Sequence, residues 1–94
     1  MEKLDPISEI QTLLSEDADR SKILDVVGPL QPYDISEIIR QLDHGDQLKL
    51  MTVLSTEVGA EALEYLEPEI QYRILHHLHP DIAIPLLKEM SSDA

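Results

Sequence analysis

Cysteine, tryptophan and phenylalanine are absent from this 94-residue chain. Without cysteine there is no disulfide framework, no thiolate metal site and no thiol chemistry, and an intracellular setting fits best. With no Phe or Trp, the core must be built from Leu, Ile, Val, Met and Ala. Glycine is scarce too: Gly28, Gly45 and Gly59 are the only ones, so no glycine-rich phosphate loop exists. No apolar run approaches the ~18–20 residues that cross a bilayer, so direct membrane insertion is not expected. The N-terminus has no signal-peptide h-region.

Basic residues are few. Seven Lys and Arg face 19 Asp and Glu, a formal net charge of −12. Such a surface repels phosphate backbones, so nucleic acid is not an expected partner, and it attracts cations or basic proteins. The length suits one small domain, which buries only about 60–65% of its unfolded surface.

What the chain has in abundance is a repeat. Leu42, Leu54, Leu66 and Leu78 stand twelve residues apart, and Met90 continues the series. Four positions before each come Ile38, Leu50, Ala62, Ile74 and Leu86; three before come Ile39, Met51, Leu63, Leu75 and Leu87. Spacings of three and four put these side chains on one helical stripe. Ten before come Pro32, His44, Thr56, Pro68 and Pro80, where proline suits the first helical position. One residue earlier, Asp43 and Ser55 are good N-caps, whereas Gln31, Glu67 and His79 are poorer ones. Each unit is a helix of roughly ten residues, about 14 Å long. A helix this short is marginal alone and must bury its stripe against neighbours, which stacked copies provide.

Two columns alternate along the series. Glu37, Lys49, Glu61, Arg73 and Pro85 fill one; in the other, Gln47 and Gln71 mark even helices while Ile35, Gly59 and Ala83 mark odd ones. The structural unit is therefore a helix pair of 24 residues in a two-layer solenoid. The reading is all-α, with seven short helices at roughly 6–15, 17–27, 32–42, 44–53, 56–66, 68–78 and 80–90. The predicted core is Ile38, Ile39, Leu42, Leu50, Met51, Leu54, Leu63, Leu66, Ile74, Leu75 and Leu78. Gly59 fits close helix packing, and Tyr33, Tyr65 and Tyr72 are expected to be partly buried. Pro85 should kink or shorten the last helix. "SSDA" at the end reads as the cap of a further helix, so the chain looks like an excised single domain.

Catalysis has little support and an enzyme is not expected, because no serine, acid or histidine stands in an arrangement that suggests an activated nucleophile. "HHLH" places His76 and His79 three apart with Asp81 nearby. Leu75 and Leu78 hold the core stripe, so the three histidines, His76, His77 and His79, read as an adventitious surface cluster. Glu37 and Glu61 fall on the same edge, one repeat apart. Glu57, Glu64, Glu67 and Glu69 are further acids near helix ends, and Glu67 and Glu69 are explained as first-turn acids.

The recurring L-x-P opening with an apolar helix, as in "LQPYDISEIIRQL" (30–42) and "LEPEIQYRILHHL" (66–78), resembles the cytosolic N-terminal domain of MgtE-type magnesium transporters over about Ile23 to Asp93. The resemblance implies a right-handed superhelix on the cytoplasmic side of the cell membrane. A CBS domain pair and the transmembrane channel of the same parent chain would be its partners, and the parent would be a homodimer. It also implies Mg2+ bound between acidic residues of this domain and the CBS pair, gating the channel. Glu61, in "STEVGAEALEYL", and Asp93, in "EMSSDA", match acidic metal sites of that family. Magnesium is usually held by one or two carboxylates plus water, so binding shared with a partner domain would be weak in this domain alone. The alternative is a protein–protein scaffold of armadillo/HEAT-like type with no metal role.

Overall fold

The computed structural model describes residues 5–91. Seven α-helices make up this span and no strand occurs in it: α1 Pro6–Ser15, α2 Arg20–Val27, α3 Pro32–Gln41, α4 His44–Val53, α5 Thr56–Glu64, α6 Pro68–His77 and α7 Pro80–Ser91. The helix starts follow the expected chemistry. Proline opens α1, α3, α6 and α7. Asp5, Asp43 and Ser55 accept the backbone N–H groups of Ser8 (2.8 Å), Asp46 (2.8 Å) and Val58 (3.2 Å), satisfying donors that each first turn leaves unpaired. His79 caps as well, since its Nδ1 accepts the Asp81 N–H at 3.1 Å.

Stacking runs between alternate helices. The odd helices form one row, α1 against α3, α3 against α5 and α5 against α7; the even helices form the other, α2 against α4 and α4 against α6. Contacts of α1 with α2 and α4 join the rows. The result is elongated, 45 × 23 × 22 Å, as a stack that grows along one axis must be.

The apolar stripes meet between the rows. Ile38, Ile39, Leu42, Leu50, Met51, Leu54, Leu63, Leu66, Ile74 and Leu78 are buried, joined by Ile10, Leu14, Ile23, Val27, Ile35 and Leu86. Leu75 departs from the expectation and is only half-buried. Leu87 departs further at 50% exposure, with Ile84 at 51%. The equivalent adjacent pairs in α3, α4 and α5 are buried on both residues, but α7 is the last described helix and stacks on α5 alone, so Leu86 is covered and no later described helix covers Leu87. The tyrosines also differ from the reading of partial burial. Tyr33, Tyr65 and Tyr72 are 53%, 53% and 69% exposed. They pack on the surface, Tyr33 edge-on to Tyr65 (5.4 Å between centroids) and Tyr72 stacked on His76 (5.6 Å).

The second helix starts at Arg20, not 17, because α1 ends in a Schellman turn. Asp17 takes a left-handed φ of 51°, and the N–H groups of Ala18 and Asp17 bond back to the Leu13 and Leu14 carbonyls. Pro85 does not shorten α7, which runs unbroken from Pro80 to Ser91. Pro85 and Asp81 are exposed, so the Asp81 carbonyl that proline deprives of an N–H partner lies on the solvent side.

The glutamines of the even helices reach back to the carbonyl ends of the helices before them. Gln47, 5% exposed, donates Nε2–H to the Ile39 carbonyl at 2.8 Å, and Gln71 donates to Leu66 at 2.9 Å. Gln47 thus shares the Ile39 carbonyl with the Leu42 N–H, and Gln71 supplies a donor in the turn after α5.

Candidate functional site: an acidic groove between α5 and α7

Small residues of α5, Gly59, Ala60 and Ala62, are buried, and Gly59 lies against Leu86 of α7. A Cβ added to Gly59 would lie 3.1 Å from Leu86 Cδ2 and 3.2 Å from Met51 Cε. Glycine therefore permits the close approach of α7, and Glu89, one turn after Leu86, is brought to the edge of α5. A groove of about 420 Å³ opens there, lined by Ala60, Glu61, Glu64, Tyr65 and Glu89. Among the described residues its lining presents three carboxylates and no Lys or Arg. Glu61 and Glu64 sit three apart on α5 and are exposed, so they share the outer face. Glu61 takes part in none of the ion pairs formed among the described residues.

The other acid of that column, Glu37, has a different fate. Its Oε2 is paired with Arg40 Nη1. Arg40 also donates from Nε (3.0 Å) and Nη2 (2.7 Å) to Glu67 Oε1, and from Nη2 to the Tyr65 carbonyl at 3.0 Å. The Glu67 carboxyl is held below its ordinary range, first by the Arg40 hydrogen bond and then by a backbone hydrogen bond; the same contact raises Arg40. The column of Glu37 and Glu61 thus splits into one neutralised acid and one open one. Asp93, the second expected metal ligand, lies outside the described residues. Glu64 had stood out only as an acid near a helix end, and Glu89 had not stood out at all. The i,i+3 spacing from Glu61 points to Glu64, whereas Glu89 depends on the α5–α7 packing.

The carboxylate oxygens of the groove suit a hard cation such as Mg2+. Among the described residues, no three His, Asp or Glu side chains converge closely enough to hold a metal ion by themselves.

His76 and His77 stand edge-on, 5.2 Å between ring centroids, and each histidine has a further partner. His76 stacks on Tyr72, and His79 caps α7 and faces Asp81 at 3.6 Å. His77 meets His44, 33 residues away: His44 Nε2 and His77 Nδ1 are 3.0 Å apart. His44 Nδ1 is buried without a hydrogen-bond partner. A metal on Nε2 would place the ring hydrogen on that orphan nitrogen, so the pair is ill-suited as a ligand set.

Among the described residues no helix is long and apolar enough to cross a membrane. A family model described as the MgtE intracellular N domain matches residues 30–94, which takes in α3 to α7 and the whole acidic groove. No curated protein matches, and no solved structure does.

Proposed function

Because the chain belongs to the MgtE intracellular N domain family, it is the cytosolic domain of a magnesium transporter, and from that premise we propose that it is the transporter's magnesium sensor. The carrying observation is the groove in which α5 and α7 bring Glu61, Glu64 and Glu89 together. Glu61 and Glu64, exposed and three apart on α5, repel each other and any acidic surface laid against them. A divalent cation between the two surfaces converts that repulsion into attraction. Glu61 supplies oxygens from the groove and Asp93 supplies them from the segment after α7. The CBS domain pair of the same chain supplies the remainder. High cytosolic Mg2+ fastens the domain to that partner and closes the channel; low Mg2+ releases it. Each ion is shared, so the domain alone binds Mg2+ weakly.

The test is Glu61→Ala with Asp93→Ala in the intact transporter, followed by protease protection or channel closure across a magnesium titration. Neither residue belongs to the apolar stripe of the sequence, so the fold survives. A coupling loss of about 1–3 kcal/mol moves the closing concentration roughly 5- to 150-fold. An unchanged midpoint in the double variant would remove these residues from the sensor and favour the scaffold role.

A further inference from the structure

Two histidines 33 residues apart meet where α4 packs on α6. His44 is the first residue of α4 and His77 the last of α6. Their rings stand edge-on, 4.8 Å between centroids, with His44 Nε2 3.0 Å from His77 Nδ1. His77 Nδ1 is also 3.0 Å from the Arg73 carbonyl. A carbonyl only accepts, so His77 carries a hydrogen on Nδ1. A hydrogen on His44 Nε2 would point at that N–H. A hydrogen on His44 Nδ1 is buried with no acceptor. The neutral ring of His44 carries one of these two hydrogens, and its cation carries both. His77 differs: its second hydrogen goes on Nε2 of an exposed residue, and Nδ1–H keeps its place. The helix ends act in the same sense, since a cation is favoured in the last turn of α6 and disfavoured at the first residue of α4.

We propose that the His44–His77 contact is a proton-responsive joint between α4 and α6, which accepts a proton on His77 and opens when His44 is protonated. Asp43 and Asp46, close to His44 in sequence, attract a charge on its ring, but Asp43 Oδ1 already accepts the Asp46 N–H at 2.8 Å. On α6 the nearby groups are Arg73 and His76, whose ring is 5.2 Å from that of His77; positive charge on them adds to the opening. His79, just beyond α6, faces Asp81. The other charged groups that join these two helices to their neighbours lie elsewhere along them. Lys49 of α4 pairs with Asp17 after α1, Arg20 of α2 reaches the Val53 carbonyl, and Arg40 of α3 meets Glu67 at the start of α6. The joint therefore couples pH to the even row, apart from the acidic groove of the odd row.

Imidazole proton–nitrogen spectra of the 94-residue chain, with nuclear Overhauser effects between the two rings, are followed from about pH 7 to pH 5, where histidines change charge. The ring-to-ring effects are expected to survive the charging of His77 and to vanish in step with the charging of His44. Their persistence once His44 is an imidazolium would overturn the proposal. Urea unfolding of wild type and His44→Asn gives a second measurement. Asparagine does not titrate, so from pH 7 to pH 5 the wild-type midpoint should fall relative to that of the variant. A difference between the two midpoints that stays the same at both pH values would also overturn it, because a merely structural contact is lost equally at each. If His44→Asn does not fold, the wild-type spectra decide alone.

Discussion

Arg40 Nη2 and Glu67 Oε1 lie 2.7 Å apart, joining α3 to the N-cap residue of α6 across 27 residues of chain. The contact predicts a pH dependence. The Glu67 carboxyl is lowered in the folded state, chiefly by the Arg40 hydrogen bond. A carboxyl with a lowered folded pKa stabilises the fold fully above its unfolded value, and the contribution is lost as pH falls through the folded one. The stability difference between wild type and Glu67→Gln should therefore be level at neutral pH. It should close below the usual glutamate range, as read by urea unfolding at a series of pH values. Both side chains are partly exposed, so the difference should also shrink in high salt.

Leu63 is fully buried in the middle of α5. Leu63→Ala removes transfer free energy and leaves a cavity between the rows. The expected loss is about 2–5 kcal/mol by chemical denaturation. A loss below 1 kcal/mol would mean that the stripe does not form the core.

Gly59 has no space for a branched side chain, because even a Cβ would meet Leu86 and Met51 at 3.1 and 3.2 Å. Gly59→Val should cost about 1–3 kcal/mol from overpacking. It should also push α7 from α5 and widen the acidic groove. Amide hydrogen exchange reports this as faster exchange in α7 than in α2.

The Arg73 carbonyl fixes the tautomer of His77 at its contact with His44. His77 Nδ1 lies 3.0 Å from that carbonyl, which can only accept, and 3.0 Å from His44 Nε2. Long-range proton–nitrogen correlation spectra of the imidazoles at neutral pH should show the Nδ1–H form for His77. His44→Ala should change the ring signals of His77 and leave those of His79 nearly unmoved, since His79 has its own partner in the Asp81 backbone.

The sequence by itself determined the helices and the core. A stripe recurring every twelve residues admits one secondary structure, and proline and Asp or Ser at fixed offsets mark where each helix begins. Six of the seven helix starts therefore stood at their observed residues. The exception, α2, turned on the left-handed backbone of Asp17, which a side chain's identity permits but does not demand. The even-helix glutamines were visible as a column, but their role as donors to Ile39 and Leu66 was not.

Only the tertiary structure decided which acids act together. Glu37 and Glu61 occupy equivalent places in the repeat, yet Glu37 is paired with Arg40 while Glu61 opens on a groove with Glu64 and Glu89. Repeat position fixes the direction of a side chain from its own helix. Which charges it then faces depends partly on its own helix, where Glu37 has Arg40 and Glu61 has Glu64 three residues on, and partly on distant segments that bring Glu67 to Arg40 and Glu89 to Glu61; the packing of α5 on α7 is set by the volumes of Gly59, Met51 and Leu86. Periodicity carries local geometry because backbone hydrogen bonding is local. Electrostatic environment is a sum over neighbours in space, and that sum exists only once the rows have stacked.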